Sequence, residues 1–386
     1  MRHQPFVQAM ADCGDTYRLE GSELYAGFLV LRHFDEWLAM GTVHTSEDRD
    51  AVLRLRQQIE TIPDSAFEVR SLLGTVLDVL GRAKPTDIVG AVGPLLAYGA
   101  YLDSRNQYRL GQHVLSIVTE TLDSPVGSTD LFSVAVAYLE YGRFAHRLGE
   151  VNDAEFYYAR GLTIATQSGD DDLKLYAKIC LGRLRLNRGD FVGAESLLDT
   201  VIAEARRNDL PSVEACALQL RGSLLLHSKR PVDAIRDFSI AYSLTPNRSL
   251  RELLLGDLAA CATVLGLWQA ACAIQEKLAR TAHDRIARAY ALVNLVELAI
   301  LRGDHDQYRA RWQQVQAYPL ATMPPLLNLY AQFYAANGVE RFESVSAALA
   351  TYRTLSTRAK ELGNVVVERL IRERLDTVLA REQPQS

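Results

Sequence analysis

Two acidic clusters are the first places where this chain could do chemistry. Asp304–His305–Asp306 offers two carboxylates and an imidazole within three residues, and Asp170–Asp171–Asp172 offers three carboxylates in a row. Either set could hold a cation if the backbone wrapped around it. Both, however, stand just before helix-length periodic segments, where carboxylates cap exposed N–H groups and face the positive end of the helix dipole. We therefore expect two helix starts, no metal site and no cofactor. None of the eight histidines stands four residues from another His or from a Cys. The sequence has no G-x-x-x-x-G-K-[ST], G-x-G-x-x-G, G-x-S-x-G or H-E-x-x-H, so no enzyme is expected.

Composition narrows the class further. Apolar residues make up 48% of the 386 and charged residues 23%, with a formal net charge of −5. That is an ordinary globular balance with no basic excess for phosphate, so nucleic acid is not expected as a partner. The five cysteines are scattered, with no C-x-x-C, and read as reduced core residues. No stretch of 18 apolar residues occurs and the amino terminus lacks the pattern of a signal peptide, so the expectation is a cytoplasmic protein without a membrane partner.

The elements come from a repeat. Gly142, Gly182 and Gly222 recur at 40 residues. Each is followed after 12 by Ala154, Ala194 or Ala234, and four later by Tyr158, Leu198 or Phe238. Between these positions the chain alternates amphipathic helical segments with turns, the first pair meeting at Gly149. Weaker copies extend the pattern. Gly99, Gly111 and Leu115 suggest a unit on residues 92–122, and Gly266 with Ala271, then Gly303 with Tyr308 and Trp312, give units shifted by 37. Residues 324–362 fit a last pair that turns at Asn337–Gly338. The final segment shows an apolar stripe of Val365, Val366, Leu370, Leu375, Val378 and Leu379. Before the array, the pattern predicts helices over about 21–40, 47–60 and 66–82.

These residues resemble the tetratricopeptide repeat, whose pattern sets a small residue where two helices touch and an aromatic where they lock. The leading tryptophan and the tyrosine after the glycine are missing, and Pro246 alone matches the terminal proline. The resemblance covers about 290 residues, most closely 131–246. It implies an all-α fold: a right-handed α-solenoid of tetratricopeptide-like helix pairs, with a helical N-terminal cap and a C-terminal capping helix. The expected divisions are 1–86 for the cap or bundle, 87–362 for the repeat array, and 363–386 for the capping helix and tail.

The resemblance also implies a binding face. In such arrays the first helix of each pair lines the concave groove, through the residue after the conserved glycine and the one four later. Here those are Arg143 and Arg147, Arg183 and Asn187, Ser223 and His227, with Tyr176 and Ile179 earlier on the same face. Guanidinium groups grip carboxylates bidentately, so an acidic peptide would suit such a patch. The bland alternative is surface ion pairing, Arg143 with Glu140 and Arg183 with Asp190. Trp37, Trp268 and Trp312 are expected to be core or helix-packing residues. The function expected is therefore a non-enzymatic scaffold that binds a protein or peptide. The second expectation is a peptide- or signal-responsive regulatory protein acting by protein–protein contact. The layout resembles peptide-pheromone-sensing regulators of Gram-positive bacteria, although residues 1–86 show no helix-turn-helix signature.

Overall fold

In the computed structural model the described residues are 3–12, 21–40, 46–82, 89–123, 130–318 and 324–382. They form nineteen α-helices and no strand. The chain is an all-α solenoid of helix pairs, divided into two compact units: residues 1–148 with 156–170, and residues 149–155 with 171–386. The boundary expected at residue 86 lies outside the described residues.

The first unit opens with α1 (Gln4–Asp12), α2 (Gly21–Met40), α3 (Ser46–Glu60) and α4 (Phe67–Arg82). The last three match the expected segments. Helix α1 was not expected, because its short apolar pattern is easily read as an irregular leader. It is held by the buried His3, whose Nδ1 lies 2.9 Å from His113 Nε2 and whose Nε2 lies 3.1 Å from Asp35. The repeats then begin with α5 (Val89–Ser104) and α6 (Tyr108–Leu122), followed by α7 (Leu131–Leu148) and α8 (Val151–Ser168). Pairing follows from glycine. A Cβ at Gly99 would stand 2.5 Å from Leu115, and one at Gly142 would stand 2.7 Å from the Tyr158 ring. Only hydrogen fits at these contacts, so each large side chain locks its own partner helix.

The second unit contains α9 (Asp171–Asn187), α10 (Phe191–Arg207), α11 (Pro211–His227), α12 (Pro231–Leu244), α13 (Arg248–Val264) and α14 (Trp268–Thr281). It continues through α15 (Arg285–Arg302), α16 (His305–Ala317), α17 (Pro325–Phe342), α18 (Val345–Glu361) and α19 (Val365–Glu382). Side-chain caps start several of them: Asp190 accepts from the Gly193 amide, Asn247 from Leu250, Asp304 from Gln307 and Ser344 from Ala347. The two acidic clusters are therefore helix starts, as expected, and no group of three metal-ligating residues occurs among the described residues. Ala194, Leu198, Ala234 and Phe238 are fully buried, and Gly222 lies beneath Phe238.

Several expectations need correction. Asn337–Gly338 is no turn; α17 runs straight through it to Phe342. Gly338 is required because the Tyr308 ring would lie 2.2 Å from its Cβ. Gly266 and Gly303 are not helix-contact glycines like Gly142. They end α13 and α15 with φ of +75° and +72°, in the left-handed region that favours glycine. On α19 the expected Val366 and Val378 are buried and Leu375 and Leu379 pack partly against the core, but Val367 and Ile371 complete the buried stripe while Val365 and Leu370 are exposed. Trp37 is buried and Trp312 packs partly against a core cluster, but Trp268 opens α14 and is 40% exposed. Ile179 is a core residue and not a groove residue.

Candidate functional site

In the second unit α9, α11, α13, α15 and α17 pack against one another in succession as well as against their own partners, which makes them the inner layer. The two ends of this unit meet. Helix α19 packs on α18 and reaches α9. A side chain at Gly189 would touch Val365 at 3.5 Å, Arg369 lies 5.2 Å over the Phe191 ring, and a Cβ at Gly363 would collide with Val151. The first and last helices of this unit thus meet, while water still reaches side chains of the inner helices such as Arg183.

The structure separates the predicted face into two groups. Arg143 and Arg147, in the first unit, converge on Asp103 at 2.9 and 3.0 Å; Arg143 also pairs with Glu140, and Arg147 lies over the Tyr108 ring. Tyr176, Arg183, Asn187 and His227 belong to the second unit. Arg183 does not pair with Asp190, which caps α10 instead. It is exposed, and its charge acts on Asp257 and Cys216 across the inner face. Burial lowers the pKa of His227, and the Arg369 charge lowers it further.

The inner face also carries carboxylates that the sequence reading missed. Burial raises Asp257 to about 6, although Gln219 donates to it at 2.8 Å and Arg183 pulls the other way. Burial raises Glu297 to about 7, opposed only by a hydrogen bond from the Tyr334 hydroxyl. Tyr330 and Tyr334 are pushed up in turn by burial and by neighbours that include Glu297. With the repeat steps of 37, 37 and 40 that the helices themselves follow, Arg183 and Ser223 continue to Ala260, Glu297 and Asn337. Asn187 and His227 continue to Val264, Leu301 and Arg341. Counting from Gly266 and Gly303, which are turn glycines, hides that register.

No protein-family model matches the sequence, and no characterised protein matches it. Solved structures do match in shape. NprR in complex with its cognate peptide NprX aligns over 84% of this chain and 96% of its own, at 14% identity and a TM-score of 0.55. The Rap conjugation gene regulator of the plasmid pLS20, in complex with the Phr* peptide, aligns over 94% and 99%, at 12% identity and a TM-score of 0.54. Identities this low speak to fold alone. The fold is a tetratricopeptide-type solenoid.

On this tetratricopeptide scaffold the inner helices supply rigid positions, α9 and α11 being anchored to their partners where Gly182 meets Leu198 and Gly222 meets Phe238. Between those anchors the inner helices carry polar side chains. They are mixed in charge: a guanidinium at Arg183, carboxyls at Asp257 and Glu297, an imidazole at His227. No nucleophile–base pair stands among them. Cys216 and Cys261 are both raised by burial, the opposite of an activated thiolate.

Proposed function

We propose that this protein is a non-enzymatic scaffold that binds a peptide or protein segment along the inner face of the unit formed by residues 171–386. The observation that carries this reading is the inner layer itself, a water-reached surface bearing tyrosines and charged groups on rigid helices. Such a surface receives an extended segment by filling pockets with its side chains and fixing its register with charge. Arg183, Asn187, His227 and Tyr176 are the proposed contacts on its first helices, and Arg183 would favour an acidic residue there. The fold shared with two proteins solved in complex with peptides supports a peptide over a folded partner. It also favours the second reading, a peptide-responsive regulatory protein acting by protein–protein contact.

The test is a random peptide library selected against the intact protein, with affinities of the selected peptides measured for wild type and variants. Arg183→Glu should weaken binding at least tenfold, and the wild-type affinity should fall as salt rises. Arg143→Ala, whose guanidinium is committed to Asp103, should leave binding unchanged. Selected peptides that bind equally well to the Arg183→Glu protein would overturn the proposal.

A further inference from the structure

Where an inner helix of the second unit turns into its outer partner, the repeat places charged residues. Arg188–Gly189–Asp190 makes that turn between α9 and α10, and Arg302–Gly303–Asp304 makes it between α15 and α16. The glycine in each takes a left-handed φ, and the aspartate caps the helix that follows. Between α13 and α14 the same three places read Leu265–Gly266–Leu267, with Gly266 again left-handed. Leu267 stands at the N-cap of α14 with no acceptor to offer, and no side chain caps that helix.

Burial does not account for the exchange. Leu265 is 40% exposed, Leu267 56% and the following Trp268 40%, and every residue from 264 to 270 is exposed. The fold has given up a cap for apolar side chains that it leaves in water. A cluster of this kind at a turn marks a surface that another molecule covers.

The charges beside the patch indicate what covers it. Helices α11, α13 and α15 pack in succession, so the α11–α12 and α15–α16 turns flank the patch. Each contributes a cation, Lys229 from the one and Arg302 from the other. Among the described residues neither meets a carboxylate; Arg302 donates to the Cys272 sulfur at 3.9 Å. The nearby carboxylates are committed: Glu195 and Asp233 hold Arg230, Asp304 caps α16, and Asp306 lies in the first turn of α16, at the positive end of its dipole. An apolar centre between two cations complements an apolar segment with acidic flanks.

We propose that the α13–α14 turn is a docking surface for a partner protein, which seats an apolar segment on Leu265, Leu267 and Trp268 and sets acidic flanking residues on Lys229 and Arg302. Trp268 is the large anchor, and the cations at the rim fix orientation. The apolar centre lies on turn and outer-helix residues and not on the inner face, so the proposal does not rest on the peptide reading.

The test writes the neighbouring turns into this one. Leu265→Arg combined with Leu267→Asp gives it the Arg–Gly–Asp of residues 188–190 and 302–304, so the double variant should melt no lower than wild type. Three labelled model peptides serve as probes in fluorescence anisotropy: leucines flanked by glutamates, the same with lysine for each glutamate, and the same with serine for each leucine. The leucine–glutamate peptide should bind the intact protein at micromolar concentration, and the other two at least tenfold more weakly. The double variant should lose at least tenfold in affinity for it. Arg302→Glu should weaken binding and flatten its salt dependence, whereas Arg183→Glu should leave it unchanged. A double variant that melts below wild type would overturn the proposal by making the leucines structural. No binding, or binding that ignores the double variant, would overturn it as well. Binding lost on Arg183→Glu instead would assign the peptide to the inner face, which sinks this proposal and leaves the groove reading standing. A wild-type dimer that becomes monomeric in the double variant would assign the patch to a second copy of this chain. Phosphatidylserine vesicles that bind wild type, but neither the double variant nor in competition with the peptide, would assign it to a lipid surface; either result overturns the proposal.

Discussion

Glu297 shows how a single side chain reports on its surroundings. Burial raises its carboxyl from 4.5 to about 7, so the folded chain holds the proton more tightly than the unfolded chain does. The resulting stabilisation is complete below the ordinary glutamate range and is lost as pH climbs through about 7. Glutamine cannot ionise. Glu297→Gln should therefore match wild type near pH 4 and exceed it in stability by about 1–3 kcal/mol at pH 8. Chemical denaturation of the two proteins across that window checks this, and parallel curves at every pH would show that the carboxyl is not enclosed. Arg143 teaches the complementary lesson. The tetratricopeptide resemblance implied a groove-type face for it, but its partner Asp103 stands 40 residues earlier on another helix, and no local pattern announces such a pair.

At the scale of the helix, the repeat positions are the most readable part of the molecule because they record steric contact. Gly99–Leu115, Gly142–Tyr158 and Gly222–Phe238 are all separated by 16 residues and all touch. The later pairs were harder, since the contact position there is filled by Ala259, Val296 and Ala336 and no glycine marks it. The glycines that do occur, Gly266 and Gly303, serve the backbone of turns instead. Gly338 was misread for a related reason: a glycine beside an asparagine looks like a turn unless the neighbouring ring is known. The candidate site suffered most from this, because Glu297, Asn337 and Arg341 follow the hidden register. Ala194 offers a direct test of packing at this scale. It is fully buried in the core shared by α9 to α13, so Ala194→Leu should overpack the contact and lower stability by roughly 1–3 kcal/mol in thermal or denaturant melts. Unchanged stability would refute the packing described.

In the second unit α19 packs on α18 and reaches α9. Its two bonds from Arg374 tie it to Glu340, a carboxylate only 6% exposed that would otherwise keep just the Tyr352 hydroxyl and Arg381 at 3.7 Å as partners. Arg374→Met should therefore destabilise the protein by about 2–4 kcal/mol, more than surface ion pairs do. Restoring stability by adding Glu340→Gln to that variant would locate the cost in the stranded carboxylate; no recovery would place it elsewhere. The repeat nature of this unit was legible from the sequence. The meeting of its ends was not, because it depends on curvature accumulated over many helix pairs.

That meeting bears on how the chain folds. Each helix pair forms through contacts between near neighbours in sequence, so the array can nucleate at many points and grow quickly. The junction of Val151 with Gly363 and of Gly189 with Val365 is different, because it joins segments roughly two hundred residues apart. The entropy of closing so long a loop is recovered only after the intervening pairs have stiffened the chain into the right arc. The junction therefore forms late, as the event that turns a string of local contacts into one cooperative body.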